Sequence, residues 1–350
     1  MRTVSLHQSY DLLDLYVKSG LVPYLKSSPG VGKSSIVKKW AADNNLLLID
    51  VRLSQCDPTD LNGFPAIDKT KEKAYYVPMS TFPLEGDPIP EGYRGWALFF
   101  DEVNGADRST QKASYKVFLD KEIGTQKIHG MCAMLCAGNL ETDNALVEEL
   151  SSALQSRLVH IQIHTDPFGW LEHAREKNYS PEVISFIEWL PASLNTFNPD
   201  KQGDEPTYPC ERTWEMVSKL LTKNKNRKSL KPSDPLALEA LCGVIGEGKA
   251  IEFLGYLRMF EDLPTIKQIV AEPNSTQLPT APGTCYALTG VIAQAATKSN
   301  IAQLMKYVER LIKEYQVVTV RNLMANDAEL LHTPSVNTWM ADNAQLLFPA

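Results

Sequence analysis

The stretch Leu21–Trp40 reads LVPYLKSSPGVGKSSIVKKW, and it decides the fold of this 350-residue chain. An apolar run leads into a glycine-containing loop that ends in Lys33-Ser34, and a helical pattern follows. Backbone N–H groups around Gly30 and Gly32 can cradle a polyphosphate, and the N-terminus of the following helix adds partial positive charge. The spacing fits the phosphate-binding pattern G-x-x-x-x-G-K-[ST] except at its first position, where Ser27 replaces glycine.

Two side chains of this loop have predicted roles. We expect Lys33 to reach the β- and γ-phosphates and Ser34 to ligate Mg²⁺. The turn that enters the loop must suit a residue with a Cβ, because Ser27 lacks the conformational freedom of glycine. The residues predicted to bind the nucleotide are Ser28, Pro29, Gly30, Val31, Gly32, Lys33, Ser34, Ser35 and Asp101.

A pair of acids follows a second apolar run. Trp96–Phe100 is continuously apolar, as expected for a strand buried on both faces, and it ends in Asp101-Glu102. Paired acids at the carboxyl end of a strand lie where open α/β sheets place their ligands. We expect Asp101 to hold Mg²⁺ through water and Glu102 to polarise the attacking water. A buried strand that merely ends in solvated carboxylates is the plainer alternative.

Two more polar residues adjoin predicted strands. The apolar run Met131–Ala137 precedes Gly138-Asn139, and the Asn139 amide is predicted to orient the lytic water. A single Asn at a strand end is commonly a turn residue, so the prediction depends on the order and spacing of the parts. Arg157 lies just before the alternating strand Val159–Ile163, where a surface ion pair would be its ordinary role.

The order of these parts resembles that of the AAA+ ATPases and, within them, the MoxR-like, dynein-related branch. The resemblance covers roughly residues 20–220. It rests on SSPGVGKS (27–34, Walker A), DLNGFP (60–65), LFFDEVNGAD (98–107, Walker B), CAGN (136–139), LQSRL (154–158) and CERTWE (210–215). The resemblance implies that Arg157 acts as an arginine finger on a neighbour's nucleotide and that Arg212 contacts the γ-phosphate from the lid. Glu211 departs from the pattern, because proline is common before that arginine.

An arginine finger acting across an interface predicts an oligomer. Such a finger accelerates hydrolysis by about 10³- to 10⁵-fold in NTPases, so the site would be complete only between subunits. We therefore expect a homo-oligomer, either a hexameric ring or a spiral. The resemblance also implies a protein client and a separate partner that carries a von Willebrand factor A domain.

The predicted fold class is an α/β P-loop fold. Strands are predicted at 22–26, 46–51, 96–101, 131–137 and 158–163, and helices near 34–44, 109–119 and 146–152. This alternation favours a parallel sheet with helices on both faces. The resemblance implies the strand order 5-1-4-3-2 and an insertion at about 52–95. Two domains are predicted, a nucleotide-binding domain at 1–166 and an α-helical lid with a C-terminal helical segment at 167–350.

Charge and hydropathy narrow the classes of partner. The formal net charge of −7 argues against a general electrostatic hold on nucleic acid. A basic cluster at Lys219–Lys231 is interpreted as a solvated loop, although an oligomer could gather several copies around a pore. There is no run of some 18 apolar residues, so we expect a cytoplasmic protein without a membrane anchor.

These features predict a Mg²⁺-dependent ATPase that couples ATP hydrolysis at subunit interfaces to remodelling or chaperone-like activation of a protein client. Two alternatives remain open. One is a nucleic-acid-directed ATPase motor, and the other is a nucleotide-dependent assembly switch with little turnover. The pair Asp101-Glu102 disfavours the switch, because a protein that only binds ATP does not need Glu102.

Overall fold

The computed structural model describes residues 2–68, 70, 73–143, 150–201, 206–222, 229–261 and 263–347. The chain divides into two compact units, Met1–Asp166 with Asn198–Gln202 and Pro167–Phe197 with Gly203–Ala350. The helix predicted near 146–152 falls largely outside the described residues. So do four of the six basic residues of the cluster at 219–231.

The first unit is built on a parallel sheet of six strands. The strands of the chain are β1 (Thr3–Val4), β2 (Pro23–Ser27), β3 (Leu47–Arg52), β4 (Phe64–Asp68), β5 (Lys73–Val77), β6 (Trp96–Asp101), β7 (Glu122–Ile123), β8 (Gln126–Lys127), β9 (Cys132–Asn139) and β10 (Val159–Ile163). The order in the large sheet is β1-β10-β2-β9-β6-β3. The five predicted strands therefore stand in the order 5-1-4-3-2, and the predicted fold class is confirmed. The edge strand β1 was not predicted, and it adds a sixth strand to the sheet.

Burial on both faces explains the continuous apolar runs. In β6, Leu98 and Phe100 pack into one core and Ala97 and Phe99 into the opposite one. All four side chains are fully buried. A strand covered on both sides has no solvent face, so its sequence does not alternate between apolar and polar residues.

The helices of the first unit are α1 (Leu6–Lys18), α2 (Lys33–Asp43), α3 (Pro58–Asn62), α4 (Arg108–Asp120) and α5 (Ser152–Gln155). A capping box formed by Ser5 and Gln8 starts α1, and the Asp107 carboxylate accepts the Thr110 N–H at 2.7 Å to start α4. By contrast the N-cap residue of α2 is Gly32, which has no side chain to cap the helix. Its first N–H groups are thus left for a ligand.

The insertion between β3 and β6 contains α3 and the antiparallel hairpin β4–β5, and a second hairpin, β7–β8, precedes β9. Three large apolar side chains of β4–β5, Phe64, Ile67 and Tyr75, are exposed by 53%, 76% and 51%. Exposed apolar side chains in one place are typical of contact surfaces.

The second unit is helical in its described residues. Its helices are α6 (Pro167–Glu176), α7 (Pro181–Trp189), α8 (Glu211–Leu221), α9 (Ala237–Ile245), α10 (Glu247–Glu261), α11 (Ile266–Ala271), α12 (Pro282–Ala295), α13 (Ile301–Val308), α14 (Lys313–Asn326), α15 (Pro334–Asp342) and α16 (Ala344–Leu347). Phe186 lies at the centre of an aromatic core, with ring centroids 5.0 Å from Phe253 and 5.4 Å from Trp214. Within the described part of the chain, no helix is both long and apolar enough to cross a lipid bilayer.

A buried ion pair joins three helices of the second unit. The Arg175 guanidinium on α6 pairs with the Glu188 carboxylate on α7, and Arg175 Nη2 donates to Asn322 Oδ1 on α14 at 2.7 Å. Asn322 Nδ2 donates in turn to Glu188 Oε2 at 3.2 Å. Burial raises the pKa of Glu188 even though Arg175 opposes the shift.

Candidate phosphate-binding and catalytic site

The loop between β2 and α2 has the backbone of a phosphate cradle. Gly30 and Gly32 have φ values of 87° and 103°, in the left-handed region that favours glycine. Ser27 is not among the residues with positive φ. The departure from the phosphate-binding pattern therefore costs no backbone strain at that position. Together with the uncapped start of α2, this loop favours an anion.

Lys33 lies in a buried position beneath the loop, 8% exposed. Its Nζ donates to the carbonyl oxygen of Ser27 at 2.9 Å, to Ser27 Oγ at 3.0 Å and to the carbonyl oxygen of Ser28 at 3.4 Å. It also donates to Asn139 Oδ1 at 3.1 Å. These four acceptors are uncharged, so a phosphate oxygen would be a stronger partner than any of them. The Ser27 hydroxyl supplies one acceptor that a glycine would not.

The predicted magnesium ligands lie side by side. Ser34 Oγ donates to Asp101 Oδ2 at 2.8 Å, while Asp101 Oδ1 accepts the Glu102 N–H at 2.9 Å. A hydroxyl and a carboxylate are hard oxygen donors, and Mg²⁺ is usually bound by one or two protein oxygens together with substrate phosphates. The residues present therefore fit magnesium with a nucleotide polyphosphate.

Glu102 occupies a strained backbone position beside this pair. Its φ of 55° and ψ of 40° lie in the left-handed region, at a cost on the order of 1 kcal/mol for a residue other than glycine. The Ser54 hydroxyl donates to its carboxylate. The sequence offered no motif for Ser54. Only the predicted strand order, which places β3 beside β6, pointed to this neighbour, because Arg52 and Asp101 pair in register.

Asn139 ends β9 in register with Ser27, which places its amide beside Lys33. Its backbone is bound twice by Asn104, a fully buried residue that the sequence interpretation missed. Asn104 Nδ2 donates to the Asn139 carbonyl oxygen at 2.8 Å, and the Asn139 N–H donates to Asn104 Oδ1 at 3.1 Å.

A second residue that the sequence interpretation missed is Asp143, which is 3% exposed. The Ser28 hydroxyl donates to Asp143 Oδ1 at 3.3 Å. Desolvation raises the pKa of Asp143, although the Ser28 hydrogen bond and the charge of Lys33 oppose the shift. Nearby, Lys26 Nζ and Glu141 Oε1 form an ion pair at 2.9 Å. The turn after β9 is thus bound to the phosphate loop and its strand.

The two predicted arginines are not brought to this cluster within the first unit. Val159 pairs with Pro23, which is roughly 13 Å along the sheet from Ser27 at 3.3 Å per residue, and Arg157 precedes Val159 by two residues. Arg157 Nη1 donates to the Ala153 carbonyl oxygen at 2.6 Å. Arg212 belongs to the second unit, where it is exposed in the first turn of α8.

The departure at Glu211 has a local explanation. Its side chain is buried, and Oε2 accepts a hydrogen bond from Asn195 Nδ2 at 3.0 Å. The glutamate at this position therefore helps to hold the start of α8 within the second unit.

A glycine-containing loop from a central parallel strand into a helix, with Ser34 and Asp101 paired at the same sheet edge, defines an α/β P-loop fold. No family model matches the chain. No curated protein matches it either.

Among solved structures, the chain is similar to NtrX from Brucella abortus, with 12% identity over 99% of this chain and 69% of that one, and a TM-score of 0.39. It is also similar to a protein proposed to be an ATPase from Cytophaga hutchinsonii, with 15% identity over 97% and 89% and a TM-score of 0.37. A third is RuvB from Thermotoga maritima, with 13% identity over 95% and 86% and a TM-score of 0.33. Similarity at this level is too weak to support a function, so the fold class rests on the strand order described above.

Proposed function

We propose that this protein is an AAA+ ATPase of the MoxR-like branch, which hydrolyses ATP at subunit interfaces to remodel a protein client. One observation carries the ATPase assignment. Lys33, Ser34, Asp101 and Asn139 converge at the carboxyl edge of the parallel sheet, with Glu102 next to them. They come from three separate motifs of the sequence, and hydrogen bonds join Lys33 to Asn139 and Ser34 to Asp101.

Each side chain has a task in the proposed reaction. Lys33 exchanges its neutral acceptors for phosphate oxygens, and Ser34 and Asp101 supply oxygen ligands. Bound Mg²⁺ would neutralise charge on the phosphates. Glu102 polarises the attacking water, whose oxygen bonds to the γ-phosphorus while its proton passes toward the Glu102 carboxylate. The bond to the β-phosphate oxygen breaks, and Asn139 keeps the water in line.

The position of Arg157 supports hydrolysis between subunits. Its own phosphate loop is at the other end of the sheet, so the residue is better placed to serve a neighbouring copy. In this proposal the assembly is a hexameric ring or spiral, Arg212 senses the γ-phosphate from the lid, and the exposed hairpin β4–β5 contacts the client. A separate protein with a von Willebrand factor A domain would recruit that client in the cytoplasm.

ATP turnover per subunit, measured against protein concentration, tests the proposal. Wild type should hydrolyse ATP faster per subunit as the concentration rises. Glu102→Gln should bind ATP and lose about 10²- to 10⁴-fold in turnover, because general base catalysis contributes that much. If both proteins bind ATP and neither turns it over, the assembly-switch alternative is favoured instead. If DNA or RNA restores turnover to wild type, the nucleic-acid motor is favoured.

Mixing variants tests the role of Arg157. Arg157→Ala should bind ATP without hydrolysing it, and should regain turnover when mixed with Glu102→Gln subunits, because each copy supplies the group that the other lacks. Arg94→Ala is a matched control, since Arg94 is an exposed arginine of the same unit. The absence of rescue at every mixing ratio would contradict an arginine finger.

A further inference from the structure

The Asn104 side chain hydrogen-bonds to the end of β9, beyond the point where the pairing of β9 with β6 stops. The ladder between β6 and β9 has Phe100 and Cys136 as its last pair, whereas β9 continues to Asn139. Beyond that pair, the Asn104 side chain binds both the N–H and the carbonyl group of Asn139. A side-chain amide presents an N–H donor beside a carbonyl acceptor, so it can bind the N–H and carbonyl groups that a neighbouring strand would bind.

Asn104 also belongs to the turn that carries Glu102. It lies two residues after Glu102, in the short helical turn Val103–Gly105, and the Gly105 N–H donates to the Glu102 carbonyl oxygen at 2.8 Å. One side chain therefore connects the segment bearing Glu102 to the segment bearing Asn139. Because Asn104 is fully buried, neither hydrogen bond competes with solvent.

Gly138 confirms how closely these parts fit. A Cβ at Gly138 would lie 2.3 Å from Asn104 Oδ1 and 2.2 Å from the hydroxyl oxygen of Tyr24. Gly138 does not have a positive φ, so its backbone conformation would accept alanine. The glycine is required by the approach of Asn104 and Tyr24.

We propose that Asn104 is a positioning residue for ATP hydrolysis, which holds the Asn139 amide at a fixed place relative to Glu102. This inference rests on the proposed ATPase function and deepens it. Asn104 does not touch the reacting atoms. It acts through Asn139, whose Oδ1 already lies 3.1 Å from Lys33 Nζ, next to the site for the γ-phosphate.

The test is a double-mutant cycle between Asn104→Ala and Asn139→Ala, read out as ATP turnover and ATP affinity. Asn104→Ala should lower the turnover number by about 10- to 100-fold, because a displacement of the order of 1 Å can cost that much. The ATP dissociation constant should change less than about twofold. The double variant should turn over no more slowly than Asn139→Ala alone, since Asn104 acts only through Asn139. Independent, multiplicative losses would overturn the proposal.

A variant in the second unit separates positioning from a general loss of stability. Asn322→Ala removes another buried asparagine with two hydrogen bonds. It should lower the unfolding temperature without changing turnover per folded molecule. Gly138→Ala, which pushes on Asn104, should instead lower turnover as Asn104→Ala does. Unchanged turnover in folded Gly138→Ala would contradict the proposal.

Amide hydrogen exchange in the wild type gives a readout that needs no variant. The Asn139 N–H should exchange slowly, because Asn104 accepts its hydrogen bond in a buried place. Exchange at the rate of an open loop would overturn the proposal even if Asn104→Ala failed to fold. A wild type that binds ATP without turnover would contradict the proposed ATPase function instead. Hydrogen exchange would then test only whether Asn104 binds the Asn139 N–H.

Discussion

Lys33 and Arg175 are two largely buried cations with different hydrogen-bond partners. Among its described hydrogen bonds, Lys33 in the first unit donates to two carbonyl groups, a hydroxyl group and an amide oxygen. Arg175 in the second unit is paired with the Glu188 carboxylate. A direct ion pair with a carboxylate offsets much of the positive potential of a cation. We therefore expect Lys33 to act in phosphate binding, and Arg175 to hold α6, α7 and α14 together.

Asp143, an acid beside the phosphate loop, also has a shifted pKa. Asp143 also feels the charge of Lys33, but desolvation raises its pKa and so favours its neutral form. Burial raises the pKa of Glu188 in the same direction. Arg175 makes a direct ion pair and opposes that shift, so the two sites respond differently to substitution.

The largest expected effect is on ATP affinity in Lys33→Ala. Removing the cation should weaken ATP binding by at least about 100-fold, roughly 2.7 kcal/mol at 1.4 kcal/mol per tenfold. Titration calorimetry measures this directly. Lys38→Ala, an exposed lysine on the same helix, is the matched control and should bind as wild type does. Equal affinity in the two variants would mean that Lys33 does not face the phosphates.

Arg175→Ala should act on stability and leave ATP affinity unchanged. It leaves the Glu188 carboxylate buried without its cation, which typically costs about 3–5 kcal/mol. Denaturant unfolding of the purified protein gives the loss. Replacing both partners, as in Arg175→Met with Glu188→Leu, should recover much of it, because no buried charge remains. A change in ATP affinity without a change in stability would reverse the roles assigned to the two cations.

Asp143→Asn should produce a smaller, pH-dependent effect. An acid with a raised pKa in the folded state stabilises the fold below its ordinary pKa of about 3.9 and loses that contribution as pH rises through the folded value. The variant should therefore be more stable than wild type at pH 7, with the difference disappearing near pH 4. Unfolding by guanidinium at both pH values measures it.

The affinity for ATP should also depend on the protonation state of Asp143. The positive charge of Lys33 acts on Asp143, and Asp143 in its negatively charged form would repel a polyphosphate. Wild-type affinity should rise as pH falls through the folded pKa of Asp143, and the affinity of Asp143→Asn should not. Parallel pH profiles for the two proteins would exclude Asp143 as the source.

The smallest effect is expected for Tyr24→Phe. The Tyr24 hydroxyl is buried, and no described group hydrogen-bonds to it. Because no described hydrogen bond is lost and the desolvated hydroxyl is removed, Tyr24→Phe should not lower the free energy of unfolding. Thermal unfolding beside wild type suffices as the measurement. A loss above about 1.5 kcal/mol, typical of a lost hydrogen bond, would show that the hydroxyl has a partner in solution.

The sequence predicted the sheet and most of the polar cluster because both leave local signals. Continuous apolar runs marked the strands that are buried on both faces, and the carboxyl ends of parallel strands share one edge. Lys33, Asp101 and Asn139 could therefore be placed together before their contacts were known.

The other residues of the site could not be predicted, because their positions depend on strand register and on side-chain burial, and a single sequence shows little of either. Asn104, Ser54 and Asp143 are ordinary turn residues until the strands beside them are aligned. The edge strand β1 has two residues, too few to show a period. The roles of Arg157 and Arg212 stay predictions, since they concern a neighbouring copy and the lid.

β1 pairs with β10 through Val4 and Ile163, so during translation β1 is made long before the strand with which it pairs. At about 5–20 residues per second, the first strand waits on the order of ten to thirty seconds on the ribosome before its neighbour is made. The strand that enters the phosphate loop also needs β9 and β10 at its sides. A nascent chain that stalls before β10 emerges should accordingly be unable to hold ATP, and would depend on chaperones until the sheet is complete.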